Sequence, residues 1–250
     1  TEEGTWAVFT EQGASASHMA AAKILDAIAR MPGNAGEDSD AEGAYTQVLL
    51  QAYAHLLGES QRETVETWVR LPKEQQPKSW KNIEDPVCIL RRNLYGHPLA
   101  GLFWEKFVQE RVLAAGFEKV QGWECLYVHK AKKLYLSIYV DDFKLAGPKA
   151  NIAPMWAELK KSINLETPVS LNNNTYLGCT QEDVLVPESV VTAKRLLISR
   201  AESAKSDVQY NNPAMQGGTP GKARGDLRAT ITGYHYKMCG HATQCVERYC

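Results

Sequence analysis

Two adjacent carboxylates, Asp141 and Asp142, interrupt an alternating stretch in the middle of the 250-residue chain. Leu134, Leu136, Ile138 and Val140 alternate with Tyr135, Ser137 and Tyr139, the period of a strand that buries one face. An apolar-rich run from Phe143 to Ala146 follows, and Gly147-Pro148 ends it. The pattern predicts a β-hairpin with Asp141 and Asp142 at its tip. Acidic side chains on a rigid turn offer hard oxygen donors to a divalent cation. Aspartate is equally a favoured turn residue, through its own side-chain to backbone hydrogen bonds, so a metal centre needs carboxylates from a second segment as well. Asp40 supplies one, with Asp38 as its competitor.

The acidic groups around Asp40 are dense, four carboxylates falling within the six positions from Glu37 to Glu42. Their setting, Asn34 to Tyr45, is small and polar, which predicts a solvated loop passing into a helix over Thr46 to Leu57, where negative charge suits the helix start. Upstream, Ile24, Leu25, Ile28 and Met31 recur at helical spacing before Pro32-Gly33, predicting a helix over Ser15 to Met31. Thr67 to Leu71 and Val87 to Leu90 read as short strands separated by a polar, proline-rich loop. Leu102 to Ala115 reads as a helix with Gly116 as terminator, after the turn-rich Leu94-Tyr95-Gly96-His97-Pro98. His97 is expected to be a loop residue. Cys125 to Val128 predicts a strand next to the hairpin. Ile152, Met155, Trp156, Leu159 and Ile163 form one face of an amphipathic helix, expected to be core. Tyr176 to Cys179 reads as a strand after an Asn-rich turn. Ser203 to Gly225 reads as a loop or linker, Ile231 to Met238 as a strand, and Ala242 to Tyr249 as the start of a helix.

Hydrophobic residues make up 44% of the chain, enough for a sizeable core, and the formal net charge is −1, without the basic excess typical of proteins that grip phosphate backbones. Local basic groups exist at Arg91-Arg92, Lys132-Lys133 and Lys160-Lys161. The six cysteines include no Cys-x-x-Cys pair, so reduced thiols are expected. Cys239, His241, Cys245 and Cys250 are zinc-capable types at a spacing that matches none of the usual frames. No apolar run of about eighteen residues and no leader is visible, so an intracellular protein with no membrane partner is expected, cytoplasm and nucleus not being distinguished. A first residue that is not methionine makes a segment of a longer protein the expectation.

Tyr139-Val140-Asp141-Asp142, Asp40 followed five positions later by Tyr45, and Tyr176-Leu177-Gly178 downstream, in that order, resemble the palm of reverse transcriptases. Leu94-Tyr95-Gly96 ahead of an aromatic helix, Trp68-Val69-Arg70-Leu71-Pro72 and Asp142-Phe143-Lys144-Leu145-Ala146-Gly147 are similar to the copia type (Pseudoviridae), in particular to copia-like elements of dinoflagellates. The resemblance runs from about Ala14 to Tyr249. It implies an α+β fold, an antiparallel palm sheet with packed helices and partial fingers and thumb: fingers and palm over 1–202, a loop or linker over 203–227, and the end of the palm with the start of a truncated thumb over 228–250. It implies RNA-directed DNA polymerase activity on a primed RNA or DNA template with dNTPs, as part of a retroelement polyprotein. Asp40 and Asp141 then ligate two Mg2+ ions with Asp142 in support, Ala41 and Tyr45 meet the nucleotide, Tyr45 as the steric gate against a 2′-hydroxyl, and Tyr176, Leu177 and Gly178 hold the primer. Where copia elements carry a Lys-Gln-Ala-Pro-Arg-like run, this chain has His97-Pro98-Leu99-Ala100-Gly101. Basic finger residues are expected before Thr1 and the thumb beyond Cys250. A catalytically inactive retroelement-derived module in a larger protein is the alternative; another two-metal enzyme of similar palm geometry, a nuclease or nucleotidyl cyclase, is a third.

Overall fold

The computed structural model describes residues 16–56, 66–171, 175–176, 179–205 and 232–237. The chain divides into two compact units, Thr1–Leu171 and Asn172–Cys250. It is mixed α/β with antiparallel sheets, as an α+β reading requires.

The first unit is built on a six-stranded sheet. In chain order its strands are β1 (Asn34–Asp40), β4 (Glu118–Lys119), β5 (Leu126–His129), β6 (Leu134–Tyr139), β7 (Asp142–Pro148) and β8 (Val169–Ser170), arranged β4-β5-β6-β7-β1-β8 with every pairing antiparallel. A separate ribbon pairs β2 (Trp68–Val69) with β3 (Cys88–Ile89), the two strands expected from their apolar runs. The helices are α1 (Met19–Ala29), α2 (Ala100–Ala114) and α3 (Lys149–Leu159).

Strand alternation assigns the helices to faces. Leu134, Leu136, Ile138, Phe143 and Leu145 point one way and share a buried cluster with Phe103, Trp104 and Phe107 of α2 and Ile152, Met155, Trp156 and Leu159 of α3. The α3 stripe is core, as its spacing predicts. Ala146 and Leu126 point the other way and pack under Ala21, Leu25 and Ala29 of α1. Gly36 of β1 lies so close to this helix that a Cβ there would collide with Ala29 and Leu171.

One expectation is corrected and another refined. Asn34 to Asp40 is no solvated loop: it is β1, an internal strand held between β7 and β8 with Gly36, Asp38 and Ser39 buried. Its composition hides it, because burial of the backbone by two neighbours, rather than apolar side chains, makes it a strand. Ser39 Oγ donates to the Glu166 carbonyl at 2.9 Å, satisfying one of its buried polar groups. The helix expected from Thr46 is built as two short 3₁₀ segments, Ala44–Gln47 and Leu50–Leu56, that drop Ala44, Leu50 and Tyr53 into the core; Leu57 lies outside the described residues.

In the second unit, β9 (Thr175–Tyr176), β10 (Cys179–Leu185) and β11 (Thr232–Lys237) form a sheet of order β11-β10-β9, and α4 (Glu188–Lys205) includes Ser203 to Lys205, where a linker was expected to begin. The strand expected over Ile231 to Met238 is β11. The terminal Cys/His group and the helix expected over Ala242 to Tyr249 lie outside the described residues. No helix among the described residues is long and apolar enough to cross a membrane.

Lys144 of β7 lies on the α1 side of the sheet, wholly buried, its Nζ 2.8 Å from Asp26 Oδ1 of α1. Burial pulls the Lys144 ammonium down, and the charges of Asp26 and then Asp38 oppose that pull. Removing one partner of a buried ion pair strands the other charge, whereas removing both costs little. Lys144→Met should therefore lower unfolding stability by about 3–5 kcal/mol, and the double variant Asp26→Leu/Lys144→Met should recover most of it in urea titrations.

Candidate functional site

The hairpin between β6 and β7 turns through two residues, Val140 and Asp141, with Tyr139 and Asp142 as the closing pair. Asp141 thus stands in the turn, while Asp142 is the first residue of β7 rather than part of the tip. Val140 has φ of +57°. A left-handed first position matches the tight twist of two-residue hairpins, yet it is unfavourable for a β-branched side chain. Both turn carbonyls are held from outside the hairpin: the Trp104 indole N–H of α2 donates to Val140 at 2.6 Å, and the Ala41 amide donates to Asp141 at 2.8 Å.

Ala41 directly follows Asp40, so the same contact brings the end of β1 to the turn. The seven-residue register of β1 against β7 sets Asp40 opposite Asp142 and, one step further, Asp38 opposite Lys144. All four side chains project from the α1 side of the sheet, because positions two apart in a strand share a face. Asp40 is exposed at the mouth; Asp38 and Lys144 are buried behind it. Asp142, half-buried, shares a hydrogen bond with the Asp40 carboxyl. Its pKa is pushed up to about 7, first by burial, then by that hydrogen bond, then by the negative charges of Asp40, Asp141 and Asp38.

The charge of Asp141 is felt by Tyr95, one of an aromatic pair. The rings of Tyr45 and Tyr95 lie 4.5 Å apart between centroids at 46°, and the Tyr45 backbone hydrogen-bonds the Tyr95 hydroxyl. The Tyr95 phenol is raised by burial and then by the Asp141 charge. Tyr45 also packs against the main core. Ala41 is buried and bridges to Leu165. His97 is a loop residue, as expected: its ring nitrogens meet Thr67 Oγ1 at 3.1 Å and the Leu99 amide at 3.2 Å. The Tyr176 backbone lies in β9, opposite Cys179, whereas Leu177 and Gly178 fall outside the described residues.

Of the expected site residues, the first unit therefore gathers Asp40, Ala41, Tyr45, Asp141 and Asp142, with Asp142 rather than Asp141 in direct contact with Asp40. No group of three or more His, Cys, Asp or Glu positioned to hold a metal ion occurs among the described residues. The donor chemistry of the smaller set nevertheless suits a hard cation: the Asp142 carboxyl meets that of Asp40, and Asp141 stands one residue away. Trp104, Tyr95 and Lys144 had no site role on the sequence alone. Lys144 carried a signal, a lone cation between Phe143 and Leu145; Tyr95 and Trp104 entered only through the resemblance of Leu94-Tyr95-Gly96 and the aromatic helix behind it.

No protein-family model matches the chain, and no curated protein matches it.

A carboxyl whose pKa is higher in the folded chain than its ordinary value near 4 adds stability at acid pH, and that contribution is lost as pH rises through about 7. Asp142→Asn, which cannot ionise, should match the native protein near pH 4 and exceed its thermal midpoint at pH 8. A pH-independent difference between the two would contradict the raised Asp142 pKa.

Proposed function

We propose that this chain is the palm-bearing part of a copia-type retrotransposon reverse transcriptase, extending a primer 3′-hydroxyl with dNTPs on an RNA or DNA template. The observation that carries the reading is the meeting of Asp40 and Asp142 across antiparallel strands distant in sequence, with Asp141 in the adjoining turn. Asp40, Asp141 and Asp142 would hold two Mg2+ ions, which would supply activation of the primer hydroxyl and charge neutralisation of the triphosphate and leaving pyrophosphate.

The chain's own groups do the rest by position. Asp142 would ligate in its ionised form, its proton passing to solvent, since carboxylates must be ionised to ligate. Asp40 comes from β1 and Asp141 from the turn, two backbone segments that the Ala41–Asp141 hydrogen bond joins. Tyr45, backed by Tyr95, rejects a ribose 2′-hydroxyl by bulk. Ala41 presents little more than backbone to the nucleotide. On the resemblance alone, Tyr176, Leu177 and Gly178 would meet the primer. The remainder of a retroelement polyprotein completes the fingers and thumb.

A second reading, a catalytically inactive retroelement-derived module, is favoured by the net charge of −1 and by the lack of a three-donor cluster among the described residues. Primer extension on an RNA template with Mg2+ separates the two. The native chain should extend the primer and Asp141→Asn should slow extension by on the order of 10²–10³-fold, the scale of a lost transition-state contact; duplex binding indifferent to Mg2+ and to the substitution would favour the inactive module. Tyr45→Val should raise ribonucleotide incorporation relative to deoxyribonucleotide, and an unchanged sugar preference would remove Tyr45 from the gate.

A further inference from the structure

Val140 occupies the left-handed backbone region, at φ +57°, in the turn that carries Asp141 and leads into Asp142. Such a conformation persists for a β-branched residue only where the surroundings over-determine it. Glycine, asparagine or aspartate is the ordinary choice for a left-handed hairpin position. The compensation is visible in two hydrogen bonds that close on the turn from different elements. Trp104 is wholly buried in α2, stacked on Phe107 with centroids 5.5 Å apart, and its indole N–H reaches the Val140 carbonyl at 2.6 Å. On the other side the Ala41 amide reaches the Asp141 carbonyl at 2.8 Å. The indole is fixed by the packing of α2 and the amide by the register of β1, so neither donor follows the turn if it relaxes.

We infer that Trp104 is a positioning residue for the acidic turn: its indole N–H holds Val140 in a strained conformation, and that strain sets where Asp141 and Asp142 stand relative to Asp40. Phenylalanine keeps an aromatic ring in the core but is smaller and lacks the N–H. In Trp104→Phe the turn is free to leave the left-handed region, the Asp141 carbonyl moves off the Ala41 amide, and the three carboxylates lose their common address. Val140→Gly removes the reason for the clamp, because glycine adopts this conformation without strain. The two substitutions together should restore what the first removes, a coupling that mere packing by Trp104 does not produce. The consequence for cation binding rests on the proposed metal centre; the consequence for the turn does not.

The test uses the whole chain, free of metal, and follows backbone amide hydrogen exchange by NMR together with Mn2+ binding by calorimetry. In Trp104→Phe the Ala41 amide should exchange about tenfold faster, the scale of one lost hydrogen bond, while β5–β6 amides keep their protection. Mn2+ affinity should fall by about tenfold or more, as for other residues that orient ligands without touching the ion. Trp104→Phe/Val140→Gly should return both values to near native. An Ala41 amide as protected in Trp104→Phe as in the native chain, or a loss that Val140→Gly fails to restore, would overturn the clamp. If Trp104→Phe does not fold, recovery of folding in the double variant supports the inference, and failure of the double variant assigns Trp104 to packing and overturns it. Should the native chain bind no Mn2+, the proposed metal centre falls, and the exchange measurement still decides the role of Trp104.

Discussion

The first unit depends on the register of β1 against β7. Seven consecutive pairs, Asn34 with Pro148 through Asp40 with Asp142, determine which side chains meet. A slip of one residue would send Asp38 and Asp40 to the α2 and α3 side and bury Glu37 beneath α1. The register is tied at both ends. Gly36 permits the close approach of α1, and the Ala41–Asp141 hydrogen bond carries the pairing past the last strand residue into the turn.

That register produces a graded polar face. At its exposed end the Asp142 carboxyl meets that of Asp40; one step inward an aspartate faces a lysine; under α1 the lysine is clamped to Asp26. Burying so many charges costs free energy that an apolar face would not. The opposite face shows the contrast, since Phe143, Leu145, Leu136 and Ile138 meet two helices there with no charge among them. One sheet therefore separates its labour, with cohesion on the α2 and α3 side and polar chemistry on the α1 side. The Trp104 indole joins the two, since it belongs to the apolar layer and yet holds the turn from which Asp141 projects.

Elements whose side chains follow a period were legible in the chain. The β6–β7 hairpin, the α3 stripe, the β2 and β3 runs and β11 all stand where alternation or helical spacing put them. β1 was not legible, because Asn-Ala-Gly-Glu-Asp-Ser-Asp has no apolar alternation and owes its strand form to β7 and β8 on either side. The helical turn after Asp40 was legible, but its division into two 3₁₀ segments was not, since helical character over a short run does not distinguish the two windings.

The candidate site divides in the same way. The amino-acid order alone marked out the candidates: paired aspartates at a hairpin, a further aspartate upstream with a tyrosine five positions on, and the resemblance that these carry. Only the tertiary structure decided their pairing, placing Asp142 rather than Asp141 against Asp40, Asp141 within reach of Tyr95 by its charge, and Lys144 behind them. The reason is that residue type is local, whereas a carboxyl's proton, partner and exposure are set by strands and helices that reach it from elsewhere in the chain.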